Sequence, residues 1–253
     1  MKYSIIFPYR DREEHLRISI PAIREQVNRL GIDAELIIVE QSDTHKFRRA
    51  STKNLGAIVA RPDTNIFVFH DIDYMPTDSV IYHNEVSDVY LPVQRVEFLT
   101  QALTPKPIAD VPGGYRHFAQ GVDANFFGGV AAITREAFQK MGGFNWKMKG
   151  WGREDEAFRD ACYAEQLSVA RGNGLFYALD HVDSGPDIQT DADFQQNIAM
   201  SNQWQQFRQF NVTNQPHTFT RVTPKHPLVD VWVEATDFDG PTNIVASSFL
   251  FDS

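Results

Sequence analysis

The sequence has one cysteine, Cys162, in 253 residues. One cysteine excludes an intramolecular disulfide framework and a cysteine-based zinc cluster. No apolar run reaches the roughly 18 residues that a membrane span needs, and the apolar part of the N-terminal stretch MKYSIIFPYRDR is too short for a signal peptide. These absences predict a cytoplasmic protein without an integral membrane segment, or a fragment separated from its targeting segment.

Positive charge is also in short supply. Lysine and arginine number 24 against 33 aspartates and glutamates, for a formal net charge of -9. Such a balance argues against nonspecific binding to nucleic acids or anionic membranes, although it permits a local basic pocket. With 42% hydrophobic residues and no repeat or linker, the chain is predicted to form a single domain, 1–253, with a substantial core.

The N-terminal third alternates short apolar runs with helical patterns. Strands are predicted at 3–9, at 34–41 and at the run that leads into Asp71. Between them, one helix is predicted to begin near Pro21 and end at Gly31, and a second to bury Leu55, Ile58 and Val59. This alternation predicts βαβ units and a parallel sheet, which binds ligands at the carboxyl ends of its strands.

The third strand ends in two carboxylates, in the stretch FVFHDIDYMP. Asp71 and Asp73 lie two residues apart, and paired hard oxygen donors suit Mg²⁺ or Mn²⁺ bound to phosphates. The alternative is turn chemistry, in which aspartates cap nearby N–H groups. A phosphatase with a nucleophilic aspartate is disfavoured because Met75, after Tyr74, stands where such enzymes have a small Thr or Val.

Arginines mark the two earlier strand ends. Arg10 and Arg12 follow the first strand in PYRDR, and FRRA supplies Arg48 and Arg49 after the second. Arginine forks are preferred partners of phosphate, although solvated surface arginine is the usual alternative. Phosphate-type or metal-type groups at three successive strand ends favour a nucleoside diphosphate held with a divalent metal.

Two further groups complete the candidate site. In GWGREDEAF, Trp151 is suited to stacking on a sugar face beside acids that bind hydroxyls or take a proton; the alternative is a helix start whose acids favour the macrodipole. His181, at the end of another strand, is a candidate metal ligand, and Asp180 and Asp183 compete with it.

These motifs, in this order, resemble the β-1,4-galactosyltransferase family, including its N-acetylgalactosaminyl and xylosyl-acceptor relatives. The matching stretches extend over about residues 4 to 181: IIFPYRDREEHL, FRRASTKNLG, FVFHDIDYMP, FFGGVAAITREAFQKMGGF, GWGREDEAF and DH. The resemblance implies a GT-A-like α/β fold with a mostly parallel central sheet flanked by helices. It also implies transfer of a sugar from a UDP donor to a carbohydrate or glycoconjugate acceptor, with inversion and with Mn²⁺.

Residue roles follow from the same resemblance. It assigns Asp155 as the general base, with Glu154 on the acceptor, and Asp73 and His181 as metal ligands. The nucleotide would contact Pro8, Tyr9, Arg10, Arg12, Phe47, Arg49 and Asp71. The acceptor and donor sugars would contact Trp151, Phe126, Gly128, Gly129 and Arg153.

Departures from the family pattern lead to three hypotheses. Lys149 and Arg153 replace an aromatic residue and a glycine around Trp151, and Arg153 suits an anionic acceptor. Ala178 replaces a methionine ligand, which leaves a harder site where Mg²⁺ is also expected to work. Phe126 replaces a tyrosine that restricts the donor, which leaves galactose and N-acetylgalactosamine as the likeliest sugars.

The resemblance divides the domain into a nucleotide-binding half, about 1–75, and an acceptor and metal half, about 76–210, with a tail of unassigned role from about 211 to 253. Metazoan family members carry a Golgi membrane anchor, and the lack of one here underlies the cytoplasmic prediction. The alternative function is a catalytically inactive sugar- or nucleotide-binding protein on the same fold. A sugar-phosphate nucleotidyltransferase is disfavoured because IIFPYRDR contains no glycine.

Overall fold

The computed structural model describes residues 1–100, 102–107, 124–150, 152–180, 191–202 and 218–236. The elements of the first hundred residues are β1 (Lys2–Tyr9), α1 (Glu13–Leu30), β2 (Asp33–Gln41), α2 (Arg49–Val59), β3 (Ile66–His70), β4 (Tyr74–Pro76) and β5 (Val89–Leu99). They are followed by β6 (Val130–Thr134), α3 (Arg135–Met141), α4 (Glu154–Ala164), β7 (Val169–Leu179), α5 (Ala192–Asn202), β8 (Thr218–Val222) and β9 (Val231–Thr236). Among these helices, none is both long and apolar enough to cross a membrane.

All of these strands belong to one sheet, in the order β4-β7-β5-β6-β3-β1-β2-β9-β8. The predicted parallel part is present, since β1 pairs in parallel with both β2 and β3. Antiparallel pairing enters at β6, which lies between β3 and β5. The sheet is therefore mixed, and the predicted α/β class with helices flanking a central sheet is confirmed.

The helices cover both faces of the sheet. Alternate residues of β1 point to opposite faces, as a strand requires: Ile5 and Phe7 pack with the apolar side of α1, while Ile6 packs with α2. The cluster around Ile6 also contains residues of α3 and α4. The core is thus two layers, separated by the sheet, and both are closed by helices.

The first helix differs from its prediction. It begins at Glu13, eight residues before Pro21, and Pro21 lies in its interior. A proline there lacks the N–H that would bond the carbonyl of Arg17, but both residues are exposed, so water can hydrogen-bond that carbonyl. The predicted end is confirmed: Gly31 is left-handed, with φ of 63°, and its N–H meets the carbonyls of Asn28 and Val27.

The C-terminal part of the chain completes the sheet. β9 lies between β2 and β8 and pairs in parallel with β2, from Ile37 opposite Val231 to Gln41 opposite Ala235. The tail that had no assigned role therefore supplies two strands. In the described sheet, the edge position is held by β8, and β9 lies inside it.

Candidate active site

The D-x-D motif lies in a tight turn between β3 and β4. The backbone N–H of Asp71 donates to the carbonyl of Gly129 at 2.8 Å, and that of Tyr74 donates to the carbonyl of Asp71 at 3.2 Å. The backbone of Leu179, at the end of β7, donates to the carbonyl of Asp73 at 2.8 Å. These three hydrogen bonds use backbone groups and not the aspartate carboxylates, so they do not demonstrate the side-chain capping of the turn alternative. The Asp71 side chain is 18% exposed at the end of β3.

The residue before this turn is a buried histidine. His70 is 0% exposed, and its Nδ1 lies 2.9 Å from the carbonyl oxygen of Asp71. The rings of Phe7, Tyr82 and Phe176 surround it. Burial lowers the pKa of His70 to about 4, so the imidazole is neutral near pH 7.

Arg49 joins the D-x-D turn to the start of α4. Its Nη1 lies 2.9 Å from Oε1 of Glu154 and 3.8 Å from Oδ2 of Asp71. The Glu154 side chain is 6% exposed, so this carboxylate depends on its arginine partner for compensation. Two residues that were predicted on separate motifs, Arg49 and Glu154, therefore form a pair across 105 positions of sequence.

Lys53 makes a second pair of the same kind with Asp155. Its Nζ lies 3.0 Å from Oδ1 of Asp155 and 4.9 Å from the centre of the Phe144 ring, and its side chain is 6% exposed. Sequence reasoning did not single out this lysine. The available signal was its spacing: Lys53 follows Arg49 by four residues in a predicted helix, which puts both on one face.

Burial and the neighbouring charges shift the pKa values of the acids and cations in these two pairs and of Asp71. Burial raises the pKa of Asp71 to about 6, although Arg49 and Lys53 pull it down. Burial also raises the pKa of Glu154, opposed chiefly by Arg49. Burial acts to lower the pKa values of Arg49 and Lys53, yet the surrounding carboxylates outweigh it and raise both, so the two cations stay charged.

The paired glycines before β6 allow this close approach. A Cβ on Gly128 would lie 2.8 Å from Oδ2 of Asp155 and 2.9 Å from the Phe126 ring. A Cβ on Gly129 would lie 2.6 Å from the ring of Tyr74, and Gly129 has φ of 74°. Both positions therefore need glycine, and Gly128 and Phe126 lie beside the carboxylate of Asp155.

A second group lies at the ends of β1 and β2. The guanidinium of Arg10 lies 5.2 Å from the centre of the Phe47 ring and donates to the carbonyl of His45. Both side chains are partly exposed. The backbone N–H of Gly150 donates to the carbonyl of Phe47 at 3.0 Å, so this loop contacts the segment that precedes Trp151.

The other predicted nucleotide contacts have structural surroundings. Pro8 and Tyr9 are buried in β1, and the Tyr9 ring packs edge-on against Trp232 at 5.6 Å. The carbonyl of Arg12 accepts the N–H of Leu16 at 2.9 Å, at the first turn of α1, and the Arg12 side chain is partly exposed.

Three of the candidate residues, Trp151, His181 and Asp183, lie outside the described residues. The glycines on either side of Trp151 have positive φ, 70° for Gly150 and 94° for Gly152. The buried amide of Asn197, on α5, holds this segment, because its Nδ2 donates to the carbonyls of Lys149 and Gly152 at 2.8 and 3.1 Å. Asn197 was not identified from the sequence.

Arg153 occupies a strained position at the N-terminus of α4. It has φ of 76°, in the left-handed region that favours glycine. Its Nη1 lies 3.4 Å from Oε1 of Glu156, while its Nε is buried and, among the described residues, has no hydrogen-bond partner.

The described part of the chain contains only some of the predicted metal ligands. Within it, no group of three or more His, Cys, Asp and Glu side chains is arranged to hold a metal ion. Asp71 and Asp73 are the available pair. Ala178, the predicted departure at the metal site, pairs with Tyr74 across β7 and β4 and offers no ligand atom.

Comparison with known proteins identifies the class. The N-terminal region of glycosyl transferase group 7 matches residues 1–85, and the N-terminal domain of galactosyltransferase matches residues 120–182. The two ranges together cover more than half of the chain. Human β-1,4-galactosyltransferase 4 is 30% identical, over 67% of this chain and 45% of its own length. The β-1,4-N-acetylglucosaminyltransferase of Lymnaea stagnalis is 28% identical, over 74% of this chain and 36% of its own length.

The fold has solved counterparts. Drosophila β-1,4-galactosyltransferase 7, in a complex with manganese, UDP-galactose and xylobiose, matches with a TM-score of 0.69 at 21% identity, covering 93% of this chain and 92% of that one. GalNAc-T7 with UDP, GalNAc and Mn²⁺ matches at 0.59 and 10% identity, covering 82% and 50%. The fold is that of the GT-A glycosyltransferases. The chain belongs to the β-1,4-galactosyltransferase family.

The cytoplasmic prediction is wrong. It rested on the lack of a leader or anchor in these 253 residues, but the chain spans about half the length of the curated relatives it matches. Those relatives are β-1,4-galactosyltransferases, enzymes of the Golgi membrane. An anchor outside the matched region leaves no trace in the sequence of a catalytic region, so its lack here carries no information on the compartment.

Proposed function

We propose that the protein is an inverting glycosyltransferase that moves galactose or N-acetylgalactosamine from a UDP-sugar to a sugar hydroxyl. The observation that carries the proposal is the convergence, at the end of β3, of Asp71 with the Arg49–Glu154 and Lys53–Asp155 pairs. A binding protein has no evident need for an acid next to the paired glycines, whereas a transferase needs one carboxylate near the acceptor hydroxyl.

The donor would lie between the two groups of side chains. Arg10 and Phe47 offer a guanidinium and an aromatic face at the ends of β1 and β2, which suits a phosphate and a flat base. Arg49 offers a second cation beside Asp71. Pro8, Tyr9 and Arg12 belong to the same proposal, with Pro8 and Tyr9 contributing mainly the shape of the strand end because both are buried.

The donor set fits a hard divalent cation. Asp71 and Asp73 are carboxylates two residues apart, and burial raises the pKa of Asp71 to about 6, which leaves it able to ionise near neutral pH and to gain from a cation. Asp73 and His181 are the proposed ligands, with Asp71 near the ribose or behind the ligands. The relatives' structures contain Mn²⁺. A bound Mn²⁺, or Mg²⁺, would neutralise charge on the departing diphosphate.

The catalytic base in this proposal is Asp155. Its carboxylate lies at the first turn of α4, against Gly128, where an acceptor hydroxyl can reach it. Asp155 takes the hydroxyl proton as the oxygen attacks the anomeric carbon from the face opposite UDP, so a single displacement inverts the configuration. Glu154, held by Arg49, would hydrogen-bond the acceptor.

Sugar selection is assigned to the surroundings of this base. Trp151 would stack on the acceptor and donor sugars, and Gly128 and Gly129 would let them approach the backbone. Phe126, whose ring lies beside Gly128, lacks the hydroxyl that restricts the donor in galactose-specific relatives. Arg153 would favour an acceptor that carries a carboxylate or phosphate.

The test is turnover of a panel of UDP-sugars with Mn²⁺ and with Mg²⁺, measured as UDP release with and without sugar acceptors. Wild type is expected to release UDP from UDP-galactose or UDP-N-acetylgalactosamine, and Asp155→Asn to lose about a hundredfold or more of transfer. Asp160→Asn, on the same helix and paired with Arg159, is the matched control. Binding of a UDP-sugar without any turnover would favour the inactive binding protein instead.

A further inference from the structure

The two carboxylate oxygens of the proposed base, Asp155, have different surroundings. Oδ1 lies 3.0 Å from Nζ of Lys53, and in the described part of the chain this is the hydrogen bond that the Asp155 side chain makes. Oδ2 lies on the other side, against the backbone of Gly128, where a Cβ would be 2.8 Å away. Lys53 therefore holds Oδ1. The Asp155 side chain is 24% exposed, and Oδ2 is the oxygen that the proposal assigns to the acceptor.

The lysine is fixed as firmly as the acid that it holds. Its side chain is 6% exposed, and its ammonium lies over the Phe144 ring at 4.9 Å, which limits the positions that Nζ can take. The Phe144 ring is in turn stacked on Phe158 of α4 at 4.7 Å. The ammonium is thus held on an aromatic support that belongs partly to the same helix as Asp155.

We propose that Lys53 is a positioning residue for the transfer reaction, holding Asp155 by Oδ1 so that Oδ2 takes the acceptor's proton. The inference rests on the proposed function. In the step, the acceptor oxygen bonds to the anomeric carbon, the bond from that carbon to the UDP oxygen breaks with its electron pair left on UDP, and the hydroxyl proton moves to Oδ2.

Arg49 lies one turn before Lys53 on α2, but it pairs with Glu154, which precedes Asp155 on α4. Loss of Lys53 is therefore expected to free the Asp155 carboxylate to turn about its side-chain bonds. Oδ2 would then face the acceptor in a smaller fraction of molecules, which lowers the rate of the transfer step.

The experiment compares Lys53→Met, Lys53→Gln and Lys53→Arg with wild type, in kcat and in KM for donor and acceptor. Lys53→Met should lower kcat about tenfold and leave the donor KM within twofold, because the proposed donor contacts are unchanged. Lys53→Gln keeps a hydrogen-bond donor on a side chain one atom shorter, so it should lower kcat by a smaller factor, about threefold. Lys53→Arg should recover most of kcat.

The outcomes separate this inference from the function on which it rests. A wild type that turns over no UDP-sugar overturns both. An active wild type whose Lys53→Met variant keeps the wild-type kcat overturns the role of Lys53 alone. If Lys53→Met does not fold, Lys53→Gln decides: a wild-type kcat in that variant contradicts the inference. In an Asp155→Asn background, Lys53→Met should change the residual rate less than twofold, and a further tenfold loss would show that Lys53 acts independently of Asp155.

Discussion

On one side of the candidate site, Arg10 meets Phe47 on loops that stay partly exposed, whereas on the other side Arg49 and Lys53 pair with acids in the interior. The exposed contact joins neighbouring strand ends. The buried pairs join α2 to α4 across more than a hundred residues. The buried side, which includes the proposed base Asp155 and the proposed acceptor contact Glu154, is therefore part of the folded core. The exposed side, which is the nucleotide side of the proposal, is expected to tolerate substitution with little effect on stability.

The largest effect is expected on the buried side, where the free energy of unfolding should depend on pH. Burial lowers the pKa of His70 from 6.5 to about 4, so the unfolded chain takes up a proton that the folded one refuses. The neutral His70 therefore contributes to the free energy of unfolding, fully above pH 6.5. This contribution, up to about 3 kcal/mol, is lost as the pH falls towards 4. Denaturant unfolding at several pH values should show that His70→Phe removes this part of the slope.

The control for that measurement lies on the nucleotide side. Phe47→Leu changes a partly exposed ring and no titratable group, so it should keep the wild-type slope between pH 4 and 6.5. If His70→Phe kept the slope as well, the buried histidine would not be the source of the acid sensitivity.

The next effect is the loss of a cation from the buried side. Arg49→Met leaves Glu154, 6% exposed, without its partner, and should lower the free energy of unfolding by about 2 kcal/mol after allowance for the partial exposure of Arg49. Thermal and denaturant unfolding measure this directly. Arg49→Met/Glu154→Leu should recover much of the loss, and a double variant as unstable as the single one would argue against a buried pair.

Substitutions of Arg153 test whether its strained backbone position contributes to binding of the acceptor. Arg153→Gly removes the left-handed strain but also an i,i+3 pair with Glu156, so the free energy of unfolding should rise by about 0.5 kcal/mol. Arg153→Ala keeps the strain and should not gain stability. Both should raise the KM for an anionic acceptor several-fold and leave that for a neutral one unchanged; equal changes for both acceptors would end the anionic-acceptor hypothesis.

On the nucleotide side, the expected loss of stability is small compared with that of Arg49→Met. Arg10→Ala removes a partly exposed cation–π contact and should cost less than about 1 kcal/mol, while raising the KM for the UDP-sugar about tenfold. Kinetics at varied donor concentration separate the two. Arg24→Ala, whose guanidinium pairs with Asp230 instead, is the matched control and should leave the donor KM unchanged. A stability loss as large as that of Arg49→Met would abolish the contrast between the two sides.

The sequence predicted the elements with local signals. The strands that lead to Tyr9, Gln41 and Asp71 were found because each is a short apolar run closed by polar residues. The helix end at Gly31 was found because the left-handed conformation at that position favours glycine. The start of α1 was predicted wrongly because proline is typical of a first helical turn. Here Pro21 lies inside the helix on an exposed face, where water can bond the carbonyl that its missing N–H leaves unpaired.

What depends on distant parts of the chain was harder to predict. The sequence motifs identified Arg49, Glu154 and Asp155 as site residues, but not Arg49 and Glu154 as partners. The positions of motifs along the chain do not give the distance between α2 and α4 in the folded protein. Lys53 was missed because a lysine in a helix is usually solvated, and its burial depends on Phe144 and Asp155. Asn197 was missed because an amide that bonds a distant backbone has no sequence pattern.

The position of β9 has a consequence for the chain while it is being synthesised. β2 is complete by residue 41, but its partner on one side is not made until residues 231–236. Until then the nascent chain presents the unpaired backbone edge of an apolar strand, Leu36 to Val39, which is a template for pairing with other chains. Expression vectors that stop between His181 and Val231 should therefore give aggregated protein, even though they encode every residue proposed to contact the metal, the nucleotide or the acceptor.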